Sequence, residues 1–82
     1  MYRGQPIIVE WSDSMAHGRW ESDGDYREPN TRCVSVGLYY GKTKRVLTIC
    51  TNHAYGDEHN NAQYGDFMNI PLGCIRSYRR LK

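Results

Sequence analysis

The chain has 82 residues, of which 39% are hydrophobic and 24% charged, with a net charge of +2. That length makes one domain, spanning residues 1–82. It buries only a little over ~60% of its unfolded surface, so its core must be small. No run approaches the ~18 consecutive apolar residues of a membrane-spanning helix, which excludes that class of partner.

Met1 to Glu10 does not read as a signal peptide, because Arg3 and Gly4 precede only three consecutive apolar residues. Pro6 to Trp11 reads as a first strand, with Ile7, Val9 and Trp11 on one face and Ile8 and Glu10 on the other. Ser12 to Thr31 is too polar for a strand and has no helical period, so it is a long loop, with Trp20 at its middle. Arg32 to Asn52 is a β-hairpin around the turn Gly41-Lys42-Thr43-Lys44. Val34, Val36, Leu38 and Tyr40 share one face at period two, and Leu47 and Ile49 continue the alternation.

His53 to Gly65 is a second polar loop, rich in His, Asn and Tyr. Asp66 to Ile70 is again extended, and Pro71 ends it because proline cannot donate to a ladder. Leu72-Gly73 makes a tight turn, and Cys74 to Leu81 is the last strand. Its Ile75 and Leu81 are apolar, with Tyr78 on the other face. The fold expected is all-β: a small five-stranded antiparallel barrel, SH3-like or Sm-like, with two long loops.

Charge is uneven along this order. Residues 1–31 carry a balance of −3, and residues 32–82 one of +5. The basic groups gather in the hairpin turn and at Arg76, Arg79, Arg80 and Lys82. Such clusters attract phosphates, but they also protect edge strands by charge.

Few motifs carry chemistry. Gly41-Lys42-Thr43 imitates the tail of a phosphate-binding loop, but Val36 stands where that motif needs glycine and a strand follows instead of a helix. Cys33, Cys50 and Cys74 are an odd number of cysteines and are expected as free thiols. None of them, nor His17, His53 or His59, has a metal-ligand spacing, so no metal or other cofactor is expected. Cys50 with His53, and Asp13 and Ser14 with His17, are weak pairings for nucleophilic catalysis, and the chain is not expected to be an enzyme.

The loops are more suggestive. Trp20, Tyr26, Tyr55 and Tyr64 offer faces on which nucleobases stack. Asn52 and its neighbouring amides can read polar edges, and Arg19, Arg27 and Lys44 can meet phosphates. The expected ligand site is Trp20 as platform, with Arg19, Lys44, Asn52 and Tyr55, where the two long loops converge. Trp20 could equally be an anchor packed over the barrel mouth. A homo-oligomer is expected, since association supplies the burial that a small core lacks.

Four blocks occur in order: Ile8-Val9-Glu10-Trp11-Ser12-Asp13; Gly18-Arg19-Trp20; Arg32-Cys33-Val34-Ser35-Val36-Gly37; and Ile70-Pro71-Leu72-Gly73-Cys74-Ile75-Arg76 with Arg79-Arg80-Leu81. Together they resemble a group of small bacteriophage proteins of about this length. The resemblance covers most of the chain and is weakest over His53 to Gly65. Some compact phage proteins of this size counter host defence by sequestering cyclic nucleotides. They form small oligomers with ligand pockets at subunit interfaces. The resemblance implies a nucleotide-derived immune signal as ligand, no catalysis, no membrane, and a location in the host bacterial cytosol. No binding residue is carried over from the group. The second reading is an interaction module that binds protein or nucleic acid through the basic C-terminal strand.

Overall fold

The computed structural model describes residues 1–13 and 31–81. Its elements are β1 (Pro6–Asp13), β2 (Thr31–Lys42), β3 (Val46–Ala54), β4 (Gln63–Pro71), a 3₁₀ turn (Leu72–Cys74) and β5 (Ile75–Arg80). The fold is all-β, as expected. The strands form one antiparallel sheet in the order β4-β3-β2-β1-β5. The sheet is not closed: β4 and β5 are its two edges and do not pair with each other.

Two polar segments are more regular than expected. His53 and Ala54 belong to β3, and Gln63 to Gly65 to β4, so only residues 55–62 connect them. Gly56 lets that connection close tightly. A Cβ there would stand 2.8 Å from the Ala62 backbone nitrogen. The Asp57 carboxylate accepts from the His59 and Asn60 amides at 2.8 and 2.7 Å, and these bonds hold its pKa down.

The hairpin turn after Lys42 is built by Thr43. Its hydroxyl oxygen accepts from the Arg45 and Val46 amides, each at 3.1 Å. The segment that imitates a phosphate-binding loop is therefore the end of β2, Gly41 and Lys42, running into a hairpin turn at Thr43.

The core is five fully packed side chains: Ile7, Val9, Leu47, Ile49 and Ile70. Trp11, Tyr39, Leu72, Ile75 and Tyr78 pack around them. Directly opposed residues in an antiparallel pair share a face. Ile7 opposes Gly37, Val9 opposes Ser35, and Tyr39 opposes Ile49. The core face of β2 is thus Ser35, Gly37 and Tyr39. The valine stripe points the other way, with Val34 61% and Val36 56% exposed. The period-two signal in β2 is real, but it marks the outer face.

Two β-bulges adjust the register. Tyr39 opposes Ile49 and Gly41 opposes Thr48, which leaves Tyr40 as the extra residue of β2. Glu10 opposes Ser77 and Trp11 opposes Ile75, which leaves Arg76 as the extra residue of β5. The second bulge explains a departure from simple alternation. Ile75 and Tyr78 are three apart, yet both reach the core.

Small residues on the core face of β2 let β3 approach closely. A Cβ on Gly37 would lie 3.0 Å from the Cys50 carbonyl oxygen and 3.2 Å from Ile49 Cδ1. Neither the backbone oxygen nor a buried isoleucine can yield easily. Gly37→Ala should destabilise the protein by about 1–3 kcal/mol, the usual effect of overpacking. Urea unfolding should show a lower midpoint with an unchanged slope.

Candidate functional site

The tyrosine at the β2 bulge is the starting point. Bulges re-aim a side chain out of the regular ladder. Tyr40 meets Phe67 edge-on at 4.8 Å between centroids and Tyr64 edge-on at 5.3 Å. Tyr64 and Phe67 are three residues apart on β4, so a regular strand would send them to opposite faces. Asp66 between them has φ of +58°, a left-handed conformation that Asp tolerates better than most residues. That break in the pleat lets both rings lean on Tyr40.

The cluster extends through the hairpin tip. His53 stacks on Tyr64 with centroids 4.3 Å apart and planes within 2°. Tyr55 lies 4.7 Å from His53 and is 87% exposed. On the other side, the Arg3 guanidinium sits 4.2 Å over the Tyr40 ring, and its Nε donates to the Tyr40 carbonyl oxygen at 2.8 Å. Asn52 Nδ2 donates to Asp66 Oδ2 at the foot of the hairpin. The result is a continuous row, Phe67–Tyr40–Tyr64–His53–Tyr55, with one cation over Tyr40.

The structure brings Tyr55 to this row, places Asn52 beside His53 in β3 with its amide on Asp66, and keeps Lys44 away from it. Lys44 lies in the β2–β3 turn, at the other end of β3 and about 26 Å of extended chain from Asn52. Arg19 and Trp20, the expected platform, lie outside the described residues. What is visible is where that segment leaves β1 and enters β2, at the opposed pair Asp13 and Thr31. This point lies about 30 Å along β1 from Gly4. The rings lie at the Gly4 end, where a Cβ on Gly4 would be 3.8 Å from the Tyr64 hydroxyl. Arg3, Tyr40 and Phe67 belong to the row without having been candidates from sequence. The pair Tyr39-Tyr40 followed by Gly41 was the signal that could have pointed to a bulge.

A second concavity, of about 270 Å³, lies at the far end of β1. Glu10, Trp11, Arg32, Cys33, Val34 and the bulged Arg76 line it. Glu10 there accepts from the Ser77 hydroxyl at 2.8 Å, and the Trp11 indole donates to Ser35 Oγ at 2.9 Å.

Among the described residues, no group of three or more His, Cys, Asp or Glu side chains converges to hold a metal ion. No helix among them is long and apolar enough to cross a membrane. Comparisons with protein-family profiles, curated proteins and solved structures give no match for this chain.

All three cysteines are free thiols. Cys50 is fully buried, and burial pushes its thiol pKa up, so it is an inert packing group. Cys33 and Cys74 are partly accessible. A thiol-reactive dye should therefore modify Cys33 and Cys74 in the native protein, and Cys50 only after denaturant is added. Mass spectrometry of the labelled peptides checks which sites react.

Proposed function

We propose that this chain is a non-catalytic binding protein that holds a nucleotide-derived ligand by stacking its bases on the Tyr40–Tyr64–His53–Tyr55 row. The single observation behind this is that the rings are ordered by one another and yet the row ends open to solvent at Tyr55 and Phe67, while Tyr40, Tyr64 and His53 are half-buried. Rings that served packing alone would be covered. Tyr55 is 87% and Phe67 52% exposed. A base laid on such a face contributes about 1–3 kcal/mol. Arg3 adds a guanidinium able to meet a phosphate, and Asn52 an amide for a polar edge.

The four sequence blocks extend this reading to a bacteriophage counter-defence protein, a homo-oligomer that sequesters a cyclic nucleotide in the host bacterial cytosol. An SH3-like or Sm-like barrel belongs to the same proposal. The strand order β4-β3-β2-β1-β5, with a 3₁₀ turn ahead of β5, supports that fold type. A second reading rests on a different observation. Arg76, Arg79 and Arg80 are all exposed on an edge strand, as suits a single nucleic-acid strand.

Titration calorimetry against a panel of cyclic mono- and dinucleotides separates these readings. Tyr55→Ala should weaken binding about tenfold, equivalent to about 1.4 kcal/mol, without lowering the unfolding temperature. Tyr40→Ala should lower both, because Tyr40 touches Arg3, Tyr64 and Phe67. If no panel member binds, or if Tyr55→Ala and His53→Ala bind as well as the parent, the stacking reading is wrong. Steeply salt-dependent binding of an oligonucleotide, lost in Arg79→Ala, would favour the second reading.

A further inference from the structure

A third concavity, of about 540 Å³, is lined by Gln5, Arg79, Arg80 and Leu81. It lies at the opposite end of β1 from Asp13 and Thr31. Gln5 is its buried member, at 8% exposure, and the other three are exposed. Burying an amide is unfavourable unless its polar atoms are paired. Gln5 Oε1 accepts from the Tyr2 amide at 3.3 Å. That bond settles which end of the side-chain amide is occupied, and the Nε2 hydrogens remain as the donors Gln5 can offer to the concavity. The backbone holds it there, with the Tyr39 amide donating to the Gln5 carbonyl at 2.8 Å.

β5 is pinned at the same place. Arg80 opposes Ile7, Arg79 opposes Ile8, and the Leu81 amide donates to the Pro6 carbonyl at 3.0 Å. The residues across the ladder from the two arginines are therefore isoleucines, not acids. Glu10, further along β1, accepts from Ser77 instead. Among the described residues, neither arginine has a carboxylate within ion-pair distance. Two like charges side by side are unfavourable, and a shared anion reverses that.

We propose that this concavity is a binding site for a phosphate monoester, held by the Arg79 and Arg80 guanidiniums and the Gln5 amide. Guanidinium forks match the geometry of phosphate oxygens. A carboxylate has two oxygens and is satisfied by one fork. The terminal phosphate of a monoester carries more charge and three free oxygens, so each guanidinium and the amide can take one. Leu81, 41% exposed, adds an apolar wall for the carbon body of the ester. The site shares no residue with the ring row and does not depend on it. It also differs from a basic strand that tracks a nucleic acid, which would use Arg76 at the other end of β5 as well.

Calorimetric titration with inorganic phosphate, and then with glycerol phosphate, tests the site at about 0.15 M salt. The parent should bind each with one site per chain. Arg79→Ala and Arg80→Ala should each weaken binding about tenfold or more, as expected for loss of a charge-assisted bond. Gln5→Glu keeps the acceptor for the Tyr2 amide but replaces the donor with a carboxylate oxygen, so it should abolish binding. Circular dichroism and thermal unfolding confirm that each variant folds, and the two arginine variants decide alone if Gln5→Glu does not. Arg76→Ala and Tyr55→Ala should bind phosphate as the parent does. No saturable binding by the parent overturns the proposal. So does undiminished binding in both arginine variants, or an equal loss in Arg76→Ala, which would indicate diffuse attraction along the strand. A loss in Tyr55→Ala would place the phosphate at the rings and overturn it too.

Discussion

At Gly37, β2 comes so close to β3 that a single methyl group would stand 3.0 Å from the Cys50 carbonyl oxygen. The rest of the sheet depends on that approach. It lets Ile49 lie over β2 beside Ile7, so that five aliphatic side chains from three strands suffice for a core. Burying an Ile, Leu or Val side chain stabilises by about 1.5–3 kcal/mol, so a core of five has little to spare for a poor fit. The small residues on this face of β2 are therefore as much a part of the core as the large ones opposite.

The same strand then changes behaviour. Beyond Tyr39 an extra residue enters the ladder, and Tyr40 leaves the core pattern to join the rings of β4 and the hairpin tip. Two local departures from ideal strand geometry, the bulge at Tyr40 and the positive φ at Asp66, thus gather aromatic residues that regular pleating would scatter. Arg3 fastens the arrangement from outside by bonding the Tyr40 carbonyl and covering its ring. Each feature costs some backbone regularity, and together they give a row of packed rings that is exposed at Tyr55 and Phe67.

The five strands were legible because turn chemistry bounds them: Gly-Lys-Thr where β2 ends, and Pro71 with Gly73 where β4 gives way to the 3₁₀ turn. Two kinds of information were not. His53, Ala54 and Gln63 to Gly65 look like loop because little of either face is buried, so no apolar alternation marks them. The face assignment of β2 failed for a related reason. Valines are favoured in strands for their β-branched shape as well as for burial, and here Val34 and Val36 serve the first role alone. Of the candidate site, Asn52 and Tyr55 could be chosen by residue type. Tyr40 and Phe67 could not, since a one-residue shift in register decides which way they point.

Pairing of β1 with β5 joins Ile7 to Arg80, nearly the full length of the described chain. The hairpins β2–β3 and β3–β4, in contrast, close over short connections. Loop-closure entropy grows with the length of chain enclosed, and non-local pairings slow folding. The meander β2–β3–β4 can therefore form early, while Val9 and Tyr78 meet last. On the ribosome the order is stricter still. The first strand emerges before β5, with Ile7 and Val9 lacking their final cover until that strand is made.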